Sequence, residues 1–153
     1  MERTLIIDDK KKIKIIAWDV YGTILPTKGM QVKRKGLDTL LQKCKNQGLT
    51  LCTSSDANTS DMLKDSKEAG LDSNYFDKFF EMKRKGKRFY ELPKNFIPIL
   101  KYYNLDSEEL LIIGDKIHRD IMPAQDLGCK TILVPEYKIH LYNEFDLNNL
   151  SIF

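Results

Sequence analysis

The chain has 153 residues, 42% of them apolar and 31% charged, with a formal net charge of +3. That length suits one domain with one core and no need of a metal or disulfide staple, so residues 1–153 are read as a single domain. The charge is too small for composition to announce a nucleic-acid binder, and no apolar run approaches the length of a membrane span. Three scattered cysteines, Cys44, Cys52 and Cys129, form no CxxC pair, and the start "MERTLIIDDKKK" has no signal-peptide core. Reduced, buried thiols in a cytoplasmic protein are expected.

"TLIIDD" (Thr4 to Asp9) reads as a small first strand, and "KIKIIAWD" (Lys12 to Asp19) as a buried one. "LDTLLQKCKNQG" (Leu37 to Gly48) has helical spacing and a terminal glycine. "LTLCTSS" (Leu49 to Ser55) is a strand ending in hydroxyls, and "SDMLKDSKEAG" (Ser60 to Gly70) a helix with serine and glycine as its caps. "YFDKFFEM" (Tyr75 to Met82) predicts a short strand. "PKNFIPILKYYNL" (Pro93 to Leu105) predicts a helix with Pro93 in its first turn and a kink at Pro98. "ELLIIGD" (Glu109 to Asp115) is a strand, "IMPAQDLG" (Ile121 to Gly128) a helix, and "KTILVPE" (Lys130 to Glu136) the last strand. The tail from Tyr137 to Phe153 is weakly patterned.

Strands alternating with helices imply an open, mainly parallel sheet covered on both faces, a three-layer α/β/α arrangement of Rossmann type. Such sheets bind ligands outside the carboxyl ends of their strands. Asp19 follows one strand; Thr53, Ser54 and Ser55 end another; Gly114, Asp115 and then Asp120 follow a third. A cluster of three carboxylates repels itself and needs a cation, for which Mg²⁺ with oxygen ligands is the natural choice.

"DVYGT" (Asp19 to Thr23), "CTSS" (Cys52 to Ser55) and "GDKIHRD" (Gly114 to Asp120) together resemble the motifs of the haloacid dehalogenase (HAD) superfamily, over about Lys12 to Pro135. That family is dominated by phosphatases that pass through an aspartyl-phosphate. The resemblance implies a HAD-like fold with Asp19 as nucleophile. It implies Mg²⁺ held by Asp19, the Tyr21 carbonyl, Asp115 and Asp120. It implies a hydroxyl from Thr53, with Ser54 as the alternative. A lysine is implied too, Lys94 or in reserve Lys87. Gly22 and Thr23 are expected to turn the chain so that amide groups face the phosphate.

The departure is Tyr21. Phosphatases of the family carry a second aspartate there, as acid for the leaving group and base for water. Tyrosine, with an ordinary pKa of about 10, is a poor base near neutrality, so a slow enzyme or one confined to good leaving groups is implied. Tyr21 also brings the sequence near the 2-haloacid dehalogenases, which attack carbon without metal, and leaves open a non-catalytic phosphate-binding or scaffold domain. The connections between motifs are too short for a cap domain, and the resemblance implies that a cap-less member suits large substrates. "KRKG" (Lys33 to Gly36) and "KRKGKR" (Lys83 to Arg88) are expected at the same edge, as a rim for a phosphorylated, polyanionic partner or as solvated loops. Nucleic acid is not indicated. His118 reads as an exposed loop residue, His140 has no motif around it, and Trp18 reads as packing beside the site.

Overall fold

Alternation along four residues decides the layering. In β1 (Ile15–Trp18) every side chain is buried, Ile15 and Ala17 in one apolar cluster and Ile16 and Trp18 in the other. Side chains of a strand point to opposite faces in turn, so a strand apolar at every position must lie between two covering layers. The computed structural model describes residues 12–82, 92–139 and 145–152, and it has that arrangement. The strand predicted at Thr4 to Asp9, the basic run at Lys83 to Arg88 and His140 lie outside the described residues.

The sheet has five parallel strands: β1, β2 (Thr50–Ser55), β3 (Lys78–Glu81), β4 (Leu110–Gly114) and β5 (Lys130–Leu133), in the order β3-β2-β1-β4-β5. Helices α1 (Leu37–Asn46) and α2 (Thr59–Ala69) send Leu37, Leu40, Leu41, Cys44 and Met62 onto the face of Ile16, Trp18, Leu51 and Leu111. Helices α3 (Ile97–Tyr103) and α4 (Met122–Asp126), with their flanks, send Phe96, Ile99, Ala124 and Cys129 onto the face of Ala17, Cys52, Leu110 and Ile112. Among the described residues, α1, α2 and a 3₁₀ turn at Ser73–Tyr75 are the helical elements between β1 and β3, with no inserted cap domain there.

Three boundaries differ from the sequence reading, each for a local reason. The cap of α2 is Asn58, whose side chain accepts from the Asp61 amide at 2.8 Å, and not Ser60. Pro98 does not kink α3; the helix begins at Ile97, and proline is welcome in a first turn because its missing N–H has no partner there anyway. Pro93 precedes the helix. The weakly patterned tail is part of the core: Tyr137, Leu147 and Ile152 are buried, and a 3₁₀ turn at Leu147–Asn149 packs on α1. Each fully buried aliphatic side chain contributes about 1.5–3 kcal/mol, so two isolated hydrophobes anchor the tail without any periodic signal. The three cysteines are buried and free, and burial pushes the thiols up, Cys44 to about 12 and Cys129 to about 11, which makes them inert.

Candidate active site

The strand order reverses direction between β1 and β4, and the crevice of an open α/β sheet forms at such a switch. Asp19 lies just past the carboxyl end of β1, its amide donating to Ile113 O at 2.9 Å so that the ladder holds it in place. Asp115 follows β4 directly. The topology therefore sets two carboxylates side by side from residues 96 apart in sequence.

Two glycines let them approach. Gly22 has φ +90, and a Cβ on it would stand 2.6 Å from Asp115 Oδ2. A Cβ on Gly114 would stand 2.6 Å from Asp120 Cγ. Asp120 reaches that spot because the chain after Lys116 winds as a π turn over Ile117–Ile121 before α4, with the Lys116 amide donating to Asp120 Oδ2 at 3.2 Å. The helix expected from Ile121 is therefore preceded by a wider turn that re-aims one carboxylate, a use typical of π turns at functional sites.

The turn after Asp19 is closed by its own backbone. The Gly22 amide donates to Leu25 O at 2.7 Å, and the Thr23 amide to Val20 O at 3.2 Å, so both are spent inside the turn and neither faces outward. What Thr23 offers is its hydroxyl, 3.0 Å from Asp19 Oδ2 and 3.2 Å from Asp115 Oδ1.

Lys94 fills the centre. Its ammonium donates to Asp19 Oδ1 at 2.9 Å and to the Ser54 carbonyl at 2.6 Å, and lies 2.6 Å from Asp120 Oδ1. An ammonium has three donors, and three partners take them. Burial alone would push Lys94 down; Asp19 first and Asp120 second more than offset this and hold it above its ordinary value. In Asp19 burial pulls upward, but Lys94 and the hydrogen bonds around it hold the carboxyl below the usual range.

The other two carboxyls go the opposite way. Burial, then the hydrogen bond and charge of Asp19, push Asp115 up to about 8. Burial and the charge of Asp19 push Asp120 up to about 6, against the pull of Lys94. Asp115 Oδ2 is buried without a hydrogen-bond partner among the described residues, and its nearest cation is Lys116 Nζ at 3.6 Å. One oxygen from each of Asp19, Asp115 and Asp120 lies within 4.8 Å of the others. Hard oxygen donors, excess negative charge and an orphaned carboxylate oxygen fit a divalent cation of the Mg²⁺ kind.

A stability prediction follows from these shifts. Asp115 and Asp120 hold protons more tightly folded than unfolded, so their contribution is complete below about pH 4 and is lost as pH rises through about 6 and then about 8. In chelator the thermal midpoint should fall between pH 5 and pH 8. Added Mg²⁺ should raise it by more at pH 8 than at pH 6, because fewer protons compete. A midpoint flat across that range, with or without Mg²⁺, contradicts the charge balance described.

The hollow at this edge, about 210 Å³, is lined by Asp19, Tyr21, Thr27, Ser55, Asp56, Ala57, Lys94, Asp115, Lys116, Arg119 and Asp120. Neither expected hydroxyl lines it. Thr53 Oγ1 is buried against Phe80 O at 3.4 Å, and the Ser54 hydroxyl is buried without a partner among the described residues, while its carbonyl serves Lys94. The hydroxyl residue at the wall is Ser55, the last residue of β2, whose Oγ accepts from the Ala57 amide at 3.1 Å. Counting to the end of the strand rather than to its first hydroxyl would have found it. Two cations were also missed, although "GDKIHRD" contains both. Lys116 is half-exposed and bonds Glu136 at 3.0 Å, and Arg119 pairs with Asp56 and donates from Nε to Leu92 O at 3.1 Å.

Tyr21 lines the hollow but its hydroxyl donates to Asp65 on α2. Burial and then that carboxylate push the phenol well above its ordinary value. The "KRKG" cluster is not a free positive rim: Lys33 pairs with Asp38 at 2.5 Å, and Arg34 is buried, donating to Thr23 O at 3.1 Å and lying over the rings of Tyr137 and Phe145. Lys87 lies outside the described residues. His118 is exposed and Trp18 fully buried. Among the described residues no helix is long and apolar enough to cross a membrane.

A five-stranded parallel sheet with a carboxylate cluster at its switch point defines the α/β class in which ligands sit at strand ends. The particular kinship comes from comparison. Residues 93–138 match the HAD-hydrolase-like family model. A 40-residue stretch is 42% identical to a glyceraldehyde 3-phosphate phosphatase of Pyrococcus abyssi, covering 26% of this chain and 17% of that protein. A haloacid dehalogenase-like family hydrolase from Xanthomonas campestris superposes with TM-score 0.65 at 10% identity, over 86% of this chain and 87% of the other. A predicted phosphoglycolate phosphatase from Haemophilus somnus superposes with TM-score 0.65 at 14% identity, over 84% and 88%. The chain is HAD-like in its fold and in the segment that carries Lys94, Asp115 and Asp120.

Proposed function

We propose that the protein is a phosphohydrolase in which Asp19 attacks the phosphorus of a phosphomonoester. The observation that carries this reading is the Lys94 ammonium shared between Asp19 and Asp120 beside Asp115, whose Oδ2 lacks a hydrogen-bond partner among the described residues. Such a lysine keeps Asp19 ionised and aimed, which a carboxylate nucleophile requires. The Asp19–phosphorus bond forms as the bond to the leaving oxygen breaks, and water then cleaves the acyl phosphate and frees Asp19. Asp19, Asp115, Asp120 and the Tyr21 carbonyl would hold Mg²⁺, which when bound neutralises charge on the phosphoryl group. Lys116 and Arg119 at the wall draw the anionic substrate inward.

The hollow is smaller than a typical small-molecule pocket, so it suits the phosphoryl group and the first atoms of its ester, with the remainder outside. With Tyr21 committed to Asp65, no acid at position 21 serves the leaving group, and acyl or aryl phosphates are the favoured substrates. The dehalogenase reading gives no use to the buried Asp115 Oδ2, which has no hydrogen-bond partner among the described residues and only Lys116 at 3.6 Å for a cation.

The test is hydrolysis of an aryl phosphate with Mg²⁺ or chelator, in the native protein and in Asp19→Asn. Activity is expected only in the native protein with Mg²⁺, and Asp19→Asn should lose on the order of 10⁴ or more, as removal of a nucleophile does elsewhere. Equal rates in all four arms refute the reading. Binding of Mg²⁺ and phosphate with no turnover would instead favour a non-catalytic domain.

A further inference from the structure

We infer that Asp56 is the base that removes a proton from the water hydrolysing the aspartyl-phosphate, a role the family's second aspartate would fill and Tyr21 does not. The inference rests on the phosphohydrolase reading and supplies its missing group. Four carboxylates line the hollow: Asp19, Asp115 and Asp120, which form the cluster around Lys94, and Asp56. Asp56 alone of them stands on β2's side of the hollow, immediately after Ser55. Arg119 grips its Oδ2, while Oδ1 is buried with no hydrogen-bond partner among the described residues. One carboxylate oxygen is thus held in place and the other is left as a hydrogen-bond acceptor for water in the hollow. The phenol of Tyr21 points its own proton at Asp65 and is a weak base besides.

The step balances as written. Water oxygen bonds to phosphorus, the Asp19 Oδ–phosphorus bond breaks and returns its electron pair to the carboxylate, and the water proton passes to Asp56 Oδ1. Inorganic phosphate leaves and Asp56 releases the proton to solvent. Asp56 has no part in expelling the first leaving group, which aryl and acyl phosphates do unaided.

The experiment is a rapid-quench reaction of an aryl phosphate with Mg²⁺, following both the released phenol and hydroxylamine-labile phosphate on the protein. In Asp56→Asn, a substitution of nearly equal size, a burst of about one phenol per active site is expected. The steady rate should fall by about 10²–10⁴ and phosphoprotein should accumulate. Asp19→Asn should form no phosphoprotein. A steady rate in Asp56→Asn like that of the native protein overturns the inference. So does a reduced rate with no burst, since the fault would then lie before the intermediate. A native protein that neither hydrolyses the substrate nor becomes phosphorylated overturns the phosphohydrolase reading itself.

Discussion

Lys94→Met should destabilise the protein by about 3–5 kcal/mol, the usual cost of removing one partner from a buried ion pair. Lys94 is 4% exposed and its ammonium is shared by Asp19, Asp120 and the Ser54 carbonyl. Methionine fills much the same volume, so packing changes little and the loss is electrostatic. Two carboxylates would then face each other and Asp115, with Lys116, 3.6 Å from Asp115, the remaining cation beside them. Each must take up a proton or remain buried and charged. Denaturant titration at fixed m-value measures the loss as a lower midpoint. The effect has a signature that ordinary core damage lacks: Mg²⁺ should recover more stability in Lys94→Met than in the native protein, because it supplies the missing positive charge. Turnover should vanish too, since Asp19 would no longer be held ionised. A midpoint within about 1 kcal/mol of native would show that the ion cluster is not what holds these loops together.

Tyr21→Asp should raise turnover of alkyl phosphates by about 10²–10⁴, the usual contribution of a positioned proton donor. Tyr21 lines the hollow, and aspartate at that position would face the same space with a shorter side chain. Burial first, and then Asp65 and Asp61, raise the phenol at position 21, and the same surroundings would favour the protonated acid needed to expel an alkoxide. Acyl phosphates, whose leaving groups need no proton, should gain little. The variant should also lose about 1–3 kcal/mol of stability, because the hydrogen bond to Asp65 and the packing of the ring go together. Comparing kcat/KM for an alkyl and an aryl phosphate in both proteins reads out the difference. An unchanged ratio would mean that leaving-group protonation is not what Tyr21 removed.

These two substitutions mark what separates local from tertiary information in this chain. The two central strands β1 and β4 were legible because strands buried on both faces read as unbroken apolar runs, "IIAW" and "LLIIG". Glycines ending helical patterns located α1 and α2 in the same way. The tail was illegible because Leu147 and Ile152 are single residues that join the core cluster to which α1 contributes, with no period to betray them. At the site, the three acidic residues could be named from their spacing after strands, since a strand end in such a sheet faces the ligand edge whatever the neighbours are.

The chain alone therefore determined the parallel architecture and which carboxylates meet at its edge, because period, strand length and motif spacing are local properties. Only the tertiary structure decided which groups those carboxylates touch. Lys94 reaches Asp19 across 75 residues of sequence, Ser55 rather than Thr53 or Ser54 lines the hollow, Arg34 is buried and Tyr21 turns to Asp65. Those outcomes depend on where a rotating side chain finds its partner after the layers have packed, and neither alternation nor charge count carries that information.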